Sequence, residues 1–408
     1  VNGQQSVSLK YVVRLAYGDA LPKDQDQEGS IKVFGSSGPY ATTSQANTSA
    51  PAIIVGRKDF YGKVNWSEKA CFASATTFFI DATTTQQNLR WLFYVLQTLH
   101  LDKGSDEAAV PGLNRDDVYQ KKILVPSLSE QQAIADYLDH ETARIDTLIA
   151  AMEELLALLA EKRQALISHA VTHGLNPDVP MQDTGVEWLG AVPAHWECEI
   201  AHWLFGEVDE RSSSTDEELL TVSHHTGVTP RSEKNVSMFM AESTEGYKMC
   251  QPGDLIINTL WAWMGVLGVA FQHGVVSPNY HVYRPQGKLD AHYLDYLVRV
   301  PAFATEVTRY SKGVWSSRLR LYPEEFFQIP MPVPPLAEQK EIAYYLAHET
   351  KKLDALNQRV QETIALLRER RTALITAAVT GHLNVYDEKV VQCTLPSLPL
   401  PSSAVLPR

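Results

Sequence analysis

One long helical sequence is written twice in this chain, and that repeat limits what the chain can fold into more than any other feature. VPSLSEQQAIADYLDHET begins at Val125, and VPPLAEQKEIAYYLAHET begins at Val333. The stretches 125–176 and 333–384 align without a gap, with roughly half of the positions identical, including the endings AVTHGLN and AVTGHLN, so they are an internal duplication. Apolar residues recur in the first copy at Ile134, Leu138, Ile145, Leu148, Met152, Leu155, Leu159 and Leu166. The second copy gives Ile342, Leu346, Leu353, Leu356, Val360, Leu367 and Leu374. Steps of four and three sustained for about five heptads predict a coiled-coil seam. Each helix should run for about 40 residues, or roughly 60 Å. Ser129 with Gln132 is the expected capping box, Pro126 and Pro334 precede the starts, and Gly174 and Gly381 mark the ends.

Charges inside the seam choose its direction. Glu141 and Lys162 interrupt the first copy where Glu349 and Arg370 interrupt the second. Parallel, in-register pairing would set Glu141 against Glu349 and Lys162 against Arg370. Antiparallel pairing brings Glu141 within one layer of Arg370 and Lys162 within one layer of Glu349, and opposite charges in a partly buried layer win over like ones. The predicted interface is therefore Leu138, Glu141, Ile145, Leu148, Met152, Leu155, Leu159 and Lys162 against Leu346, Glu349, Leu353, Leu356, Val360, Leu367 and Arg370. The alternatives are that these charges are solvated flanks, or that the helices pack separately on globular domains.

At 408 residues the chain exceeds what one core usually covers. The expected domains are 1–124, a first long helix 125–176, a linker 177–194, a second domain 195–332, a second long helix 333–384 and a tail 385–408. Both globular segments read as α+β. The first has a helix-like start, SLKYVVRLAYGDAL, then short strands and the helix TQQNLRWLFYVLQTL; the second runs from EIAHWLFGEV through GDLIINTLWAWMGVLGVAF to the helix AHYLDYLVRV. An antiparallel pair formed by one chain would carry the two segments to opposite ends of a rod, about an approximate two-fold axis. The tail is expected to be a loose end, or else to pack beside the first domain.

Net charge is -12, which by itself argues against nucleic acid. The average hides an uneven distribution. Residues 1–124 carry 13 Lys and Arg against 12 Asp and Glu, 333–384 carry 7 against 6, and 125–176 carry 3 against 8. The four cysteines, Cys71, Cys198, Cys250 and Cys393, lack CxxC spacing, which argues against disulfides and structural zinc. No apolar run approaches the roughly 18 residues that cross a bilayer, and no charged-then-apolar signal pattern opens the chain, so the expected location is the cytoplasm. The sequence begins at Val1 rather than Met, consistent with a processed, unusually initiated or incomplete start.

Candidate contact residues cluster in loops. GRKDFYGKV places Arg57, Lys58 and Lys63 around two glycines, where backbone can approach a surface and cations match phosphates or guanine edges; the bland reading is an ordinary basic hairpin. In the second domain SKGVWSSRLRL offers Lys312, Arg318 and Arg320, and INTLWAWMG offers Asn258, whose amide can bond adenine bidentately. Trp261 and Trp263, at alternate positions, suit core better than contact. SPNYHVY adds Ser277, Asn279, Tyr280 and His281, which otherwise form a polar turn before a buried strand. The sequence carries no GxxxxGK[ST], GxSxG, HExxH or paired CxxC, no NPPY-type tetrapeptide and no glycine-rich loop suited to S-adenosylmethionine, so it offers no catalytic signature of these kinds. His224 and His225 are adjacent, and neighbours on a strand face opposite sides.

With the paired helices and the linker DTGVEWLGAVPAHWE at 183–197, the chain resembles the specificity subunit of type I restriction-modification systems over nearly its whole length. The motifs that carry the likeness are VPSLSEQQAIADYL, VPPLAEQKEIAYYL, the GLN and HLN endings and GVEWLG..P.HW. GRKDFYGKV is similar to the family's GRKG loop, with Asp59 where that motif usually has its second glycine. The resemblance implies two target-recognition domains, each reading one half of a split, non-palindromic DNA site, with the antiparallel helices setting the gap. It also implies a chain without catalysis of its own that docks two modification subunits. Those subunits would bind S-adenosylmethionine and methylate adenine N6, and restriction subunits driven by ATP with Mg would complete the nuclease. Readings from other classes are a self-sufficient DNA-modifying enzyme and a helical scaffold with two protein-binding domains.

Overall fold

The computed structural model describes residues 6–21, 29–103, 112–214, 217–224, 226–233, 244–313 and 319–385. His225, Arg318, Cys393 and all of the tail beyond Val385 lie outside the described residues. The chain divides into two compact units, residues 1–153 with 361–408, and residues 154–360. Both boundaries fall inside the long helices, so each unit is one globular domain plus half of each helix.

In unit 1 the strands are β1 (Ser6–Ser8), β2 (Ala16–Tyr17), β3 (Ile31–Gly35), β4 (Gly38–Thr43), β5 (Ala52–Gly56), β6 (Val64–Ser67), β7 (Phe72–Ala73) and β8 (Thr77–Ile80). Helices α1 (Leu89–Thr98) and α2 (Arg115–Gln120) follow, then β9 (Lys122–Leu124) and the long helix α3 (Leu128–His173). The main sheet has the order β2-β8-β5-β6 with every neighbour antiparallel, and β4-β3-β7 forms a second sheet in which β3 and β7 are parallel. β5 is buried along its whole length because it serves two cores. Ile53 and Val55 face α1 and the long helices, while Ala52 and Ile54 face Phe34 and Cys71. The helix-like start of the domain reduces to one 3-10 turn at Leu9–Tyr11 before β2. β1 pairs with β9, the strand that leads into α3.

Unit 2 opens with the hairpin β10 (Met181–Asp183) and β11 (Ala191–Pro193), followed by β12 (Glu197–Ile200), the short helix α4 (Ala201–Leu204) and β13 (Phe205–Val208). Next come β14 (Leu220–Ser223), β15 (Gly227–Pro230), β16 (Lys248–Cys250), β17 (Leu255–Asn258), β18 (Leu267–Val269), β19 (Gly274–Val276) and β20 (Tyr280–Pro285). Helices α5 (Ala291–Val298), α6 (Pro301–Tyr310) and α7 (Pro323–Phe326), strand β21 (Pro330–Val333) and helix α8 (Leu336–Val379) complete it. The main sheet, β13-β20-β17-β18, is again antiparallel throughout, and β12 pairs with β21 as β1 pairs with β9. β17 alternates as β5 does, with Leu255 and Ile257 toward α5 and the long helices and Ile256 toward Val222 and Val282. The two domains thus share the topology of the main sheet although their sequences differ, while other strands pair as β4-β3-β7 in unit 1 and as β14-β15 and β16-β19 in unit 2.

The long helices have 46 and 44 residues, more than the expected 40. They pair antiparallel within each unit. In unit 1 Ile134, Ala135 and Leu138 of α3 share a core with Ile375, Ala378 and Val379 of α8, and in unit 2 Ile167, Ala170 and Val171 share one with Ile342, Ala343 and Leu346. Full burial of Leu138 and Leu346 is worth about 2 kcal/mol each. Ion pairs agree with the direction: Arg371 Nε lies 2.8 Å from Asp146 Oδ1 and Arg368 Nη2 2.8 Å from Glu153 Oε1 in unit 1, and Arg163 Nε 3.4 Å from Asp354 Oδ1 in unit 2.

Burial repeats at a spacing of 11 residues instead of 7. Ile134, Ile145, Leu156 and Ile167 form one inward row, and Ile342, Leu353, Ile364 and Ile375 the other. Eleven residues in three turns is about 3.67 per turn, nearer the natural 3.6 of an α-helix than the 3.5 of a heptad. The two rules diverge along the helix, and four expected seam positions move outward. Leu155 and Leu356 are 39% and 43% exposed, with Leu156 and Asn357 turned in beside them; Lys162 and Arg370 are exposed, with Arg163 and Arg371 in their place. Leu138, Ile145, Leu159, Leu346 and Val360 are buried, and Leu148, Met152, Leu353 and Leu367 are half-buried. Glu141 is buried with Arg144 and His140 beside it, and both Glu141 and Arg370 act on the Tyr137 hydroxyl. Glu349 is met on its own helix by Lys352 and His348.

One glutamine in each repeat joins helix to domain. Gln131 is fully buried: its Oε1 accepts from Asn88 N at the cap of α1 (2.9 Å), and its Nε2 donates to Pro126 O (2.9 Å) and Gln87 Oε1 (2.6 Å). Gln339 repeats this, accepting from Asp290 N at the cap of α5 (2.7 Å) and donating to Pro334 O (2.8 Å) and Lys288 O (2.9 Å). The capping box of α3 is formed by Ser127 and Glu130, two residues earlier than expected: Ser127 N donates to Glu130 Oε2 (2.8 Å), because the helix begins at Leu128 and leaves Ser129 inside its first turn.

Candidate nucleic-acid interface

In unit 1 the contact residues expected from sequence share one connection between strands, whereas in unit 2 only Asn258 lies at the matching connection, with Asn279 and Tyr280 at the start of β20 and Lys312 and Arg320 between α6 and α7. GRKDFYGKV connects β5 to β6, and NTLWAWMG connects β17 to β18, which are the matching strands of the two main sheets. In unit 1, Gly56 N donates to Lys63 O and Gly62 N to Gly56 O, both at 2.9 Å, so the loop is closed on itself. Gly62 has φ +81, and a Cβ there would stand 2.2 Å from Asp102 N. Asp59 has φ 58, the left-handed region that glycine occupies freely and Asp tolerates.

Lys58 and Lys63 are exposed on this loop, with Lys63 Nζ donating to Ser37 O (2.6 Å). Arg57 is half-buried, donates from Nη2 to Ala75 O (2.9 Å) and lies over the Tyr17 ring at 5.2 Å. Arg115, from the first turn of α2, covers the same ring at 5.0 Å. Sequence reading missed Arg115, and no local signal marks it, because only folding brings α2 to Tyr17. Phe60, 70% exposed at the tip, was also passed over, although it stands among the basic residues.

In unit 2, Asn258 is buried and its Oδ1 accepts from Leu260 N (3.2 Å), so its amide shapes the loop as an internal cap. Burial lifts the Tyr280 phenol above its ordinary 10.0, while a hydrogen bond with Asn258 and the Arg231 charge pull it back, and the hydroxyl stays protonated. Thr259 gathers the remainder: its Oγ1 donates to Asn279 O (2.8 Å), and its carbonyl accepts from Leu321 N (3.3 Å) beside Arg320. Lys312 and Arg320 pair backbone to backbone at 2.9 Å, both side chains are exposed, and Lys312 Nζ meets Glu325. Asn279 is exposed, Ser277 and His281 are half-buried, and His281 Nδ1 lies 2.7 Å from Glu207 Oε1. Trp263 is half-buried and Trp261 is 50% exposed, so neither tryptophan sits in the core that sequence spacing suggested. His224 lies on the turn after β14.

The linker motif anchors unit 2. Trp196 Nε1 donates to Glu338 Oε2 (3.0 Å), His195 Nε2 lies 2.7 Å from the same oxygen, and Trp188 Nε1 donates to Pro330 O (3.2 Å). Among the described residues, no group of three or more His, Cys, Asp and Glu is placed to hold a metal ion, and no helix is long and apolar enough to cross a membrane.

Comparison with known proteins agrees with this plan of two domains on shared helices. Residues 3–156 match the family described as type I restriction modification DNA specificity domain. The specificity subunit of the type I restriction enzyme EcoDI from Escherichia coli is 20% identical over 415 residues, covering 93% of this chain and 88% of that protein. A solved chain from a type I R-M system, studied for complex assembly and conformational transition, shares the fold at TM-score 0.62 and 17% identity, covering 94% of this chain and 99% of that one. The HsdS subunit from Thermoanaerobacter tengcongensis is similar at TM-score 0.51 and 17% identity, covering 94% and 98%. The architecture, two α+β domains on paired long helices, is the fold of these solved chains. The chain is thus similar to type I restriction-modification specificity subunits over most of its length, and residues 3–156 match the family's DNA specificity domain.

Proposed function

We propose that this chain selects the DNA sequence on which a type I restriction-modification complex acts, and that each unit reads one half of a bipartite, non-palindromic site. The observation that carries this reading is the pair of loops β5–β6 and β17–β18. They occupy the same place on the same sheet topology yet share no sequence, as expected of two heads that perform one task on different bases. Lys58, Lys63, Lys312 and Arg320 hold phosphates and set position, Arg57 is kept in place by its stack on Tyr17, and Asn279 with the protonated Tyr280 meets base edges. Asn258 acts through the loop it caps.

In this reading the long helices set the unspecified gap and dock two N6-adenine methyltransferase subunits. The chain contributes no catalysis; S-adenosylmethionine, ATP and Mg act in the partner subunits, within the cytoplasm. Mapping N6-methyladenine in the genome of cells carrying the complete system should give one split motif with unlike halves. Removing 11 residues from each helix, one full repeat of the inward rows, should change the gap and leave both halves intact; an unchanged gap would sink the spacing role.

A further inference from the structure

The reading loops of both units end in large apolar side chains held out in solvent. In unit 1 Phe60 is 70% exposed between Lys58 and Lys63. In unit 2 the matching connection presents Trp261 at 50%, Met264 at 45% and Leu260 at 41% exposure. Exposed apolar groups normally fold back against the nearest core, and neither loop is free to let them. The unit 1 loop is closed by the Gly56–Lys63 and Gly62–Gly56 hydrogen bonds and pressed by Gly62 against residue 102. The unit 2 loop is fixed by Leu260 N to Asn258 Oδ1 (3.2 Å), Met264 N to Trp261 O (3.0 Å) and Trp263 Nε1 to Leu260 O (3.1 Å). Gly265 turns the chain at φ +76, and Thr308 Oγ1 donates to Trp263 O (3.0 Å) from α6.

We propose that Phe60 in unit 1 and Trp261 in unit 2 enter the base stack of the bound duplex as apolar wedges, each opening one step within its own half-site. The inference rests on the DNA-reading function proposed above and adds a mechanism to it. In unit 1 Phe60 shares its loop with the exposed Lys58 and Lys63, and in unit 2 the loop is joined through the Thr259 carbonyl to Leu321, the neighbour of the exposed Arg320, so both tips lie on loops tied to cationic segments that suit a polyanionic duplex. A protein partner common to both units would instead require similar surfaces on the two tips, and Phe60 and the Leu260–Trp261–Met264 group are unlike in size and shape. Apolar side chains pushed between base pairs unstack and kink the duplex, and the cost depends on the step being opened. The wedges would therefore select flexible pyrimidine–purine steps even where they form no hydrogen bond.

The test uses the full chain assembled with its methylating subunits, on duplexes carrying the mapped motif with 2-aminopurine placed step by step through each half-site. Wild type should give a several-fold fluorescence rise at one step per half-site, in addition to any signal at the methylated adenines, which serves as an internal control. Phe60→Ala should abolish the rise in one half-site only and weaken binding on the order of tenfold; Phe60→Leu should restore much of it, since leucine also acts as a wedge. Trp261→Ala should silence the other half-site. An unchanged thermal midpoint shows that each variant is folded. A rise that survives both alanine variants, or the absence of any rise away from the methylated adenines while binding is tight, overturns the wedge and leaves the DNA-reading function standing. Loss of complex assembly in Phe60→Ala, with wild type showing no unstacking, overturns it in favour of a protein contact. The absence of any methylated split motif overturns both.

Discussion

Unit 1 and unit 2 differ most where they face outward and least where they meet the long helices. Gln131 and Gln339 make nearly the same set of hydrogen bonds, to a proline carbonyl, to a helix-cap backbone N–H and to one further acceptor. The tips, by contrast, share neither residue type nor loop length. A buried amide that satisfies backbone groups on two elements tolerates no substitute, because every change leaves a donor or acceptor unpaired, whereas an exposed tip is constrained only by what it touches. The duplicated chain therefore keeps its attachments and varies its tips. A second difference lies at the helix starts. Glu130 caps its own helix through Ser127, while Glu338, at the same place in the repeat, is engaged by His195 and Trp196 of the linker.

Three experiments probe how alike the two units are at their attachments and how unlike elsewhere. The largest effect is expected from Gln131→Leu and Gln339→Leu, each of which should destabilise its own unit by about 3 kcal/mol, since at least two buried backbone groups lose their partners. Hydrogen exchange read separately over residues 29–103 and 244–313 measures both; costs that differ widely between the units would end the claim that the attachments are equivalent. A smaller effect, about 1 kcal/mol, is expected from Trp196→Phe, which removes the indole bond to Glu338 and should loosen unit 2 alone. Destabilisation of unit 1 by that change would show that the linker serves both halves.

The smallest effect is a pH dependence of opposite sign in the two units. Burial alone would lift the Asp81 carboxyl, but hydrogen bonds from Thr83 and Ser49 outweigh it and hold the group below its ordinary 3.8. Its contribution is present above pH 3.8 and fades as pH falls through the lower folded value. Burial lifts Glu306 above its ordinary 4.5 against the pull of Arg309, so it favours the fold below pH 4.5 and loses that contribution as pH rises through the folded value. Asp81→Asn should blunt the acid-side loss in unit 1, and Glu306→Gln should raise the stability of unit 2 at neutral pH. Thermal midpoints from neutral pH to below 3.8 give both signs.

The duplication, the two long helices with their glycine ends, their antiparallel pairing and the basic loop at Arg57–Lys63 were legible in the linear sequence. These are carried by local period, capping and charge order, which a linear reading can follow. Tertiary structure decided which residues face inward once 3.6 residues per turn had drifted away from 3.5, replacing Leu155 by Leu156 and Arg370 by Arg371. It also decided that GRKDFYG and NTLWAWMG are the same loop, that Arg115 stacks on Tyr17 beside Arg57, and that Gln131 and Gln339 are attachments. Each of those depends on strand pairing and packing between residues far apart in the chain, and contacts of that kind leave no period or spacing along the sequence.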